Sequence, residues 1–212
     1  MSSVHPPRIG TWLAERFLPA AHRESIVGDL VEQFRRGRSG WWYWRQVCAA
    51  ILAGIAQDLA AHKLRAVGAV ALGWTLYYAL SFPATSAGQA LEPATRSALA
   101  CDPASFSCQF WLNQLSAELL IYVAAAITGW IVARLHRAHW LSMLSVYAAS
   151  VLVFECAAVI WFMAGRPVLM PLSPVVLMLA NLTVVLRPVS IFAGGMWAGR
   201  AIPNPQSEIP NR

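Results

Sequence analysis

A break in polarity near Arg65 constrains this chain more than any other feature. Upstream lie two short amphipathic segments crowded with arginine. Downstream lie four apolar runs, each at or near the length that crosses a bilayer. A hydrocarbon core of about 30 Å demands about 20 apolar residues of a helix. The pattern predicts an all-α integral membrane protein, with a short cytosolic helical hairpin and an interfacial helix preceding four transmembrane helices. Composition agrees: with 58% hydrophobic and only 12% charged residues, 212 residues do not make a soluble domain.

The spans are read at about 66–82, 110–133, 140–164 and 174–198, together forming a transmembrane domain over 66–200. Pro83 is expected to stop the first and to open an outer loop over 83–109. Trp111, Trp130, Trp140, Trp161 and Trp197 stand near span ends, where amphipathic rings prefer to lie. No apolar h-region follows Met1–Arg8, so the first apolar run is expected to remain as an anchor. Basic residues set the orientation. Nine precede the first span, and Arg134, Arg137, Arg200 and Arg212 fall on the same side. Only Arg96 and Arg166 fall on the other, which predicts both termini in the cytoplasm.

Cys101 and Cys108 lie in the expected outer loop, on the oxidising side, and are a disulfide candidate; two unpaired thiols are the alternative. No His accompanies them and their spacing is not a usual zinc spacing, so no metal or other cofactor is expected. The excess of basic residues reads as a topology signal, since no basic face interleaved with stacking aromatics can be drawn; nucleic acid is not an expected partner.

Within residues 1–40, Ile9, Trp12, Leu13 and Phe17 recur at helical spacing before Pro19, and Ile26, Val27, Leu30, Val31 and Phe34 form a second stripe before Gly37. Two helices closing on Trp12, Phe17, Leu30 and Phe34 are predicted, a hairpin too small for a stable core of its own. Residues 41–65 follow as an anchor. Trp41, Trp42, Tyr43 and Trp44 beside Arg45 suit the headgroup layer. Val47–Ala61 reads as an interfacial helix, although its alanine-rich face would also tolerate burial. The proline-bearing tail 201–212 is expected to be disordered.

His5-Pro-Pro-Arg8, Trp12-Leu13, Leu18-Pro19, Arg23-Glu24, Gly28-Asp29-Leu30, Glu32-x-Phe34 and Trp42-Tyr-Trp-Arg-Gln46 follow one another in order. This succession resembles the permease prefix domain that precedes the first membrane helix of many bacterial ABC permeases of the macrolide-exporter type, and that also heads small standalone membrane proteins. The resemblance covers about Pro6–Val47. A full permease of that type carries a large periplasmic domain between its first two spans, where this chain has only the 83–109 loop. The resemblance therefore implies an accessory module of the bacterial inner membrane and not a complete permease. No Gly-x-x-x-x-Gly-Lys-Ser/Thr loop is present, so the chain is not the ATPase of such a system.

Three ionisable residues fall inside the spans: Glu118, Glu155 and Arg187. Counting about 1.5 Å per residue from the cytoplasmic ends puts them at heights of about 23, 22 and 17 Å. Arg187 is thus expected to pair with Glu155, with Glu118 as a second partner; the charges would fix helix register, form a proton-coupled or substrate-conducting site, or pair with another subunit. The leading expectation is a non-enzymatic accessory or regulatory partner of an ABC-type or other envelope complex. Its head would dock an ABC permease or ATPase subunit through Arg23, Glu24, Asp29 and Glu32. The alternative is a small proton-coupled transporter or intramembrane enzyme using Glu118 and Glu155. Gly195-x-x-x-Gly199 leaves a homo-oligomer open.

Overall fold

The computed structural model describes residues 6–18, 23–98, 106–164 and 174–200. Among them all regular structure is helical, and the chain divides into two compact units, Met1–Lys63 and Leu64–Arg212.

The first unit holds α1 (Arg8–Phe17), α2 (Arg23–Arg35) and α3 (Gly40–Ala61). Two local devices shape the turn into α3. Gly37 takes a φ of 98°, a left-handed conformation that costs an L side chain about 1–2 kcal/mol. Its N–H bonds the Phe34 carbonyl at 3.0 Å and the Arg38 N–H bonds Gln33 at 3.4 Å, closing the end of α2 in a Schellman motif. Ser39 then caps α3 by accepting a hydrogen bond from the Trp42 N–H at 3.2 Å.

The core of this unit is Ala14, Leu18, Leu30, Phe34, Tyr43 and Val47, so the expected two-helix hairpin is instead a three-helix head. The third helix supplies what a hairpin lacks, an apolar ridge long enough to cover both stripes. Tyr43 is fully buried at its centre, edge-on to Phe34 at 5.7 Å, with its hydroxyl 3.0 Å from Thr11 Oγ1. Trp12, expected inside, is instead 44% exposed and packs edge-on against Phe17. The aromatic run is likewise not a uniform membrane anchor. Successive residues on a helix point about 100° apart, so Tyr43 enters the core and Trp42 packs beside it while Trp41 and Arg45 face outward. Nor is the run separate from the helix that follows, since both belong to α3.

The second unit holds α4 (Lys63–Ala98, its first residue at the boundary), α5 (Phe106–Leu135), a 3-10 turn at Arg137–His139, α6 (Trp140–Ala164) and α7 (Pro174–Arg200). Pro83 does not end the first apolar helix. α4 runs through both Pro83 and Pro93, and most of the expected outer loop is helical. The lost proline N–H strands one carbonyl, and beyond it Gly88 comes close to the backbone of Ala117 in α5. Cys101 and the Cys108 side chain lie outside the described residues, as does the tail 201–212.

Three stretches are long and apolar enough to cross a membrane: Lys63–Leu91, Ala117–Leu135 and Arg137–Trp161. The described apolar part of α7, Leu182–Ala198, is shorter. The outward faces are themselves apolar, with Val123, Val153, Phe154, Ile160, Trp161, Val185 and Val189 all exposed. Helices apolar all round suit lipid or a large core, and patches of this extent are rare on soluble monomers.

Candidate functional site

The tightest packing in the second unit lies between α5 and α7. A Cβ added at Gly129 would overlap the Ile191 carbonyl, and one at Gly194 would overlap the Ala126 carbonyl, so the two backbones touch. The residues that allow this repeat every four: Ala125, Gly129 and Ala133 on α5, Ser190, Gly194 and Ala198 on α7. Such small-xxx-small spacing is the pattern by which helices approach closely in an apolar solvent, where packing replaces the hydrophobic effect. Gly195, read in the sequence as part of a dimer motif, is occupied within the chain by Leu144 of α6.

This crossing fixes the register of the charged residues. Glu118 lies eight residues before Ala126 and Arg187 seven before Gly194, so both stand about two helical turns from the crossing on the same side. α6 runs the opposite way and brings Glu155 to the same level. The three meet. Arg187 Nη2 donates to Glu118 Oε1 at 2.9 Å and Oε2 at 3.2 Å, and Nη1 donates to Glu155 Oε1. The side chains are 17%, 12% and 11% exposed for Arg187, Glu118 and Glu155. One guanidinium thus holds two carboxylates from two other helices.

The surroundings are polar in a directed way. Tyr77 of α4 and Tyr122 of α5 are close enough to interact with all three charges, and Tyr122 also hydrogen-bonds Glu118. Tyr147, two turns before Glu155 on α6, is fully buried, and its hydroxyl, like Arg187 Nε, has no hydrogen-bond partner among the described residues, whereas Ser81 and Tyr77 interact one turn apart on α4. Trp74 of α4 secures its side of the bundle, donating from Nε1 to Ser150 Oγ at 3.1 Å and meeting Phe154 edge-on at 5.0 Å. Near the opposite end of α5, Arg134 lies over the Trp130 ring at 5.3 Å, and Trp130 neighbours Trp197. The tyrosines and Ser81 were missed in the sequence, although Tyr77 and Ser81 share one helical face four residues apart.

The charged residues expected to dock a partner are not equivalent. Arg23 turns inward, donating from Nε and Nη2 to the Leu18 carbonyl at 3.3 and 3.1 Å, and so ties the end of α1 to the start of α2. Glu24, Asp29 and Glu32 remain exposed on α2, with Glu32 paired to Arg36 at 2.5 Å. At the end of α3, His62 Nδ1 is 3.1 Å from Asp58 Oδ1. Cys48 and Cys156 are free thiols.

The fold and site define a helical protein with apolar spans of membrane-crossing length and a mixed-charge triad among them. No protein-family model, curated protein or solved structure matches the chain.

Proposed function

We propose that this chain is a non-enzymatic protein of the bacterial inner membrane, crossing it four times with both termini in the cytoplasm, and that its three-helix head docks a subunit of an ABC-type or similar envelope complex. The observation that carries this reading is the self-contained head. Its core closes on Tyr43 with contributions from all three helices. It nevertheless presents Glu24, Asp29 and Glu32 along the outer side of α2. Together with Arg36, which pairs with Glu32, these residues make an exposed face of mixed charge that a protein surface of complementary charge would fit. The ordered prefix-like motifs point to a permease or ATPase subunit. The fourth crossing is α7, whose ends carry Pro174 and Arg200.

The test places a photo-crosslinking residue in turn at Glu24, Asp29 and Glu32 in the full chain in its native membrane. Adducts with one permease or ATPase subunit, lost when Glu24, Asp29 and Glu32 are replaced by Lys, are the expected outcome. Adducts confined to lipid or to the chain itself would sink the docking role.

A second reading, a small proton-coupled transporter, draws on one specific feature. The triad has two carboxylates for one guanidinium, an imbalance that a purely structural ion pair does not require.

A further inference from the structure

We infer that the end of α5 and α7 where Arg134 lies over Trp130 binds one phospholipid with a net-negative headgroup. The inference rests on the reading that α4 to α7 lie in a bilayer.

The first argument is charge. Arg134 stands in the last turn of α5, and Arg137 is exposed in the 3-10 turn that follows. No Asp or Glu occurs between Glu118 and Glu155, and none occurs in α7. Among the described residues no carboxylate pairs with Arg134, and its guanidinium donates no hydrogen bond to any of them. An arginine keeps its charge throughout the physiological range, so this end attracts anions at all times. Where a membrane helix ends, each such cation favours an anionic headgroup by about fivefold.

The second argument is the way the cation is held. Arg134 Cζ lies 5.3 Å from the centre of the Trp130 ring, and Trp130 is 6.4 Å from Trp197 of α7. The negative face of an indole holds a guanidinium in place, so less side-chain freedom is lost when a ligand arrives. The unclaimed N–H groups of Arg134 match the oxygens of a phosphodiester, which a planar fork of donors recognises well.

The third argument separates a lipid from a free anion. Val123, Ile127 and Trp130 precede Arg134 at steps of three or four residues, so the four share one face of α5. Val123 and Ile127 are exposed on that face, and Val189 and Trp197 are exposed on α7. From Val123 to Arg134 the helix rises about 16 Å, roughly half the thickness of a hydrocarbon core. An apolar stripe of that length ending in a fixed cation fits an acyl chain beneath its headgroup. A free phosphate would use the cation alone.

Native mass spectrometry tests the site on the full chain, released from an uncharged detergent with equal amounts of phosphatidylglycerol and phosphatidylcholine. The wild type should retain one phosphatidylglycerol, favoured about fivefold. Arg134→Gln should bring the two lipids to parity, and Arg134→Met takes its place should that variant fail to purify. Arg137→Gln leaves Arg134 on its ring and should keep most of the preference. Parity in the wild type, a preference that survives loss of Arg134, or an equal loss with Arg137→Gln would each overturn the site. Displacement of the lipid by an equal concentration of glycerophosphoglycerol, the headgroup without its chains, would overturn it in favour of a free-anion site. Alkaline extraction of native membranes keeps two failures apart. Protein released into solution would overturn the bilayer reading itself, whereas protein that stays in the membrane and shows no preference would overturn the lipid site alone.

Discussion

The two units of this chain are both small helical assemblies, yet they are held together by different means. The head closes on a bulky aromatic, with Tyr43 surrounded by Ala14, Leu18, Leu30, Phe34 and Val47, and its charged residues stay at the rim or outside. The bundle differs. It too buries bulky side chains, Met143, Leu144, Tyr147 and Ile191 among them, but many others face outward, its closest helix contacts are made by glycine and alanine, and three charges lie inside. On the proposed bilayer reading, the contrast follows from the solvent each unit faces. Water drives aromatic and aliphatic groups inward, whereas lipid offers them no such drive, leaving close backbone packing and buried polar pairs to specify the structure.

Four substitutions would sharpen or break that contrast. The largest effect is expected from Arg187→Leu, which leaves Glu118 and Glu155 buried without a cation and should cost about 3–5 kcal/mol. The triple change to Leu at Arg187, Glu118 and Glu155 should recover much of that loss. Thermal unfolding in detergent reads both, and equal destabilisation by the single and triple variants would refute the triad as the organising contact. Next comes Tyr43→Ala, which empties the centre of the head and should cost about 3–5 kcal/mol. Limited proteolysis should then cleave the head while the bundle stays resistant; bundle cleavage at the same rate would mean that the two units do not fold separately. Gly194→Ala should cost about 1–3 kcal/mol, because the added methyl meets the Ala126 backbone and the helices must part. Wild-type stability for that variant would contradict touching backbones. The smallest change belongs to Glu32→Ala, whose exposed pair with Arg36 is worth under about 0.5 kcal/mol. A large loss there would show that the strip on α2 holds the head together and is not simply its exposed face.

Much of the site was legible before any coordinates. Glu118, Glu155 and Arg187 stand out because ionisable groups are rare in apolar runs, and counting residues from the span ends put them at similar heights. Their partners were harder to see. Tyr77, Tyr122, Tyr147 and Ser81 pass as ordinary residues of apolar helices until neighbouring elements are set beside them. The head was misjudged for a related reason. Trp41 to Trp44 all read as interfacial when taken as a run, but helix geometry sends each in a different direction, and only the packing of α1 and α2 selects Tyr43 as the buried one. Pro83 misled differently. Its local preference to end a helix is real, yet α4 continues past it and brings Gly88 close to α5.

By itself the sequence determined the helical class, the polarity break at the head, the apolar stretches of membrane-crossing length and the identity of the three buried charges. All of these follow from local composition and spacing, which no fold can alter. The tertiary structure alone decided that α3 completes the head, that α4 passes its prolines, and that one guanidinium serves two carboxylates from different helices. Those outcomes depend on distances between residues far apart in the chain, set by how helices α5 and α7 meet at Gly129 and Gly194 and by which side chains then have room to reach one another.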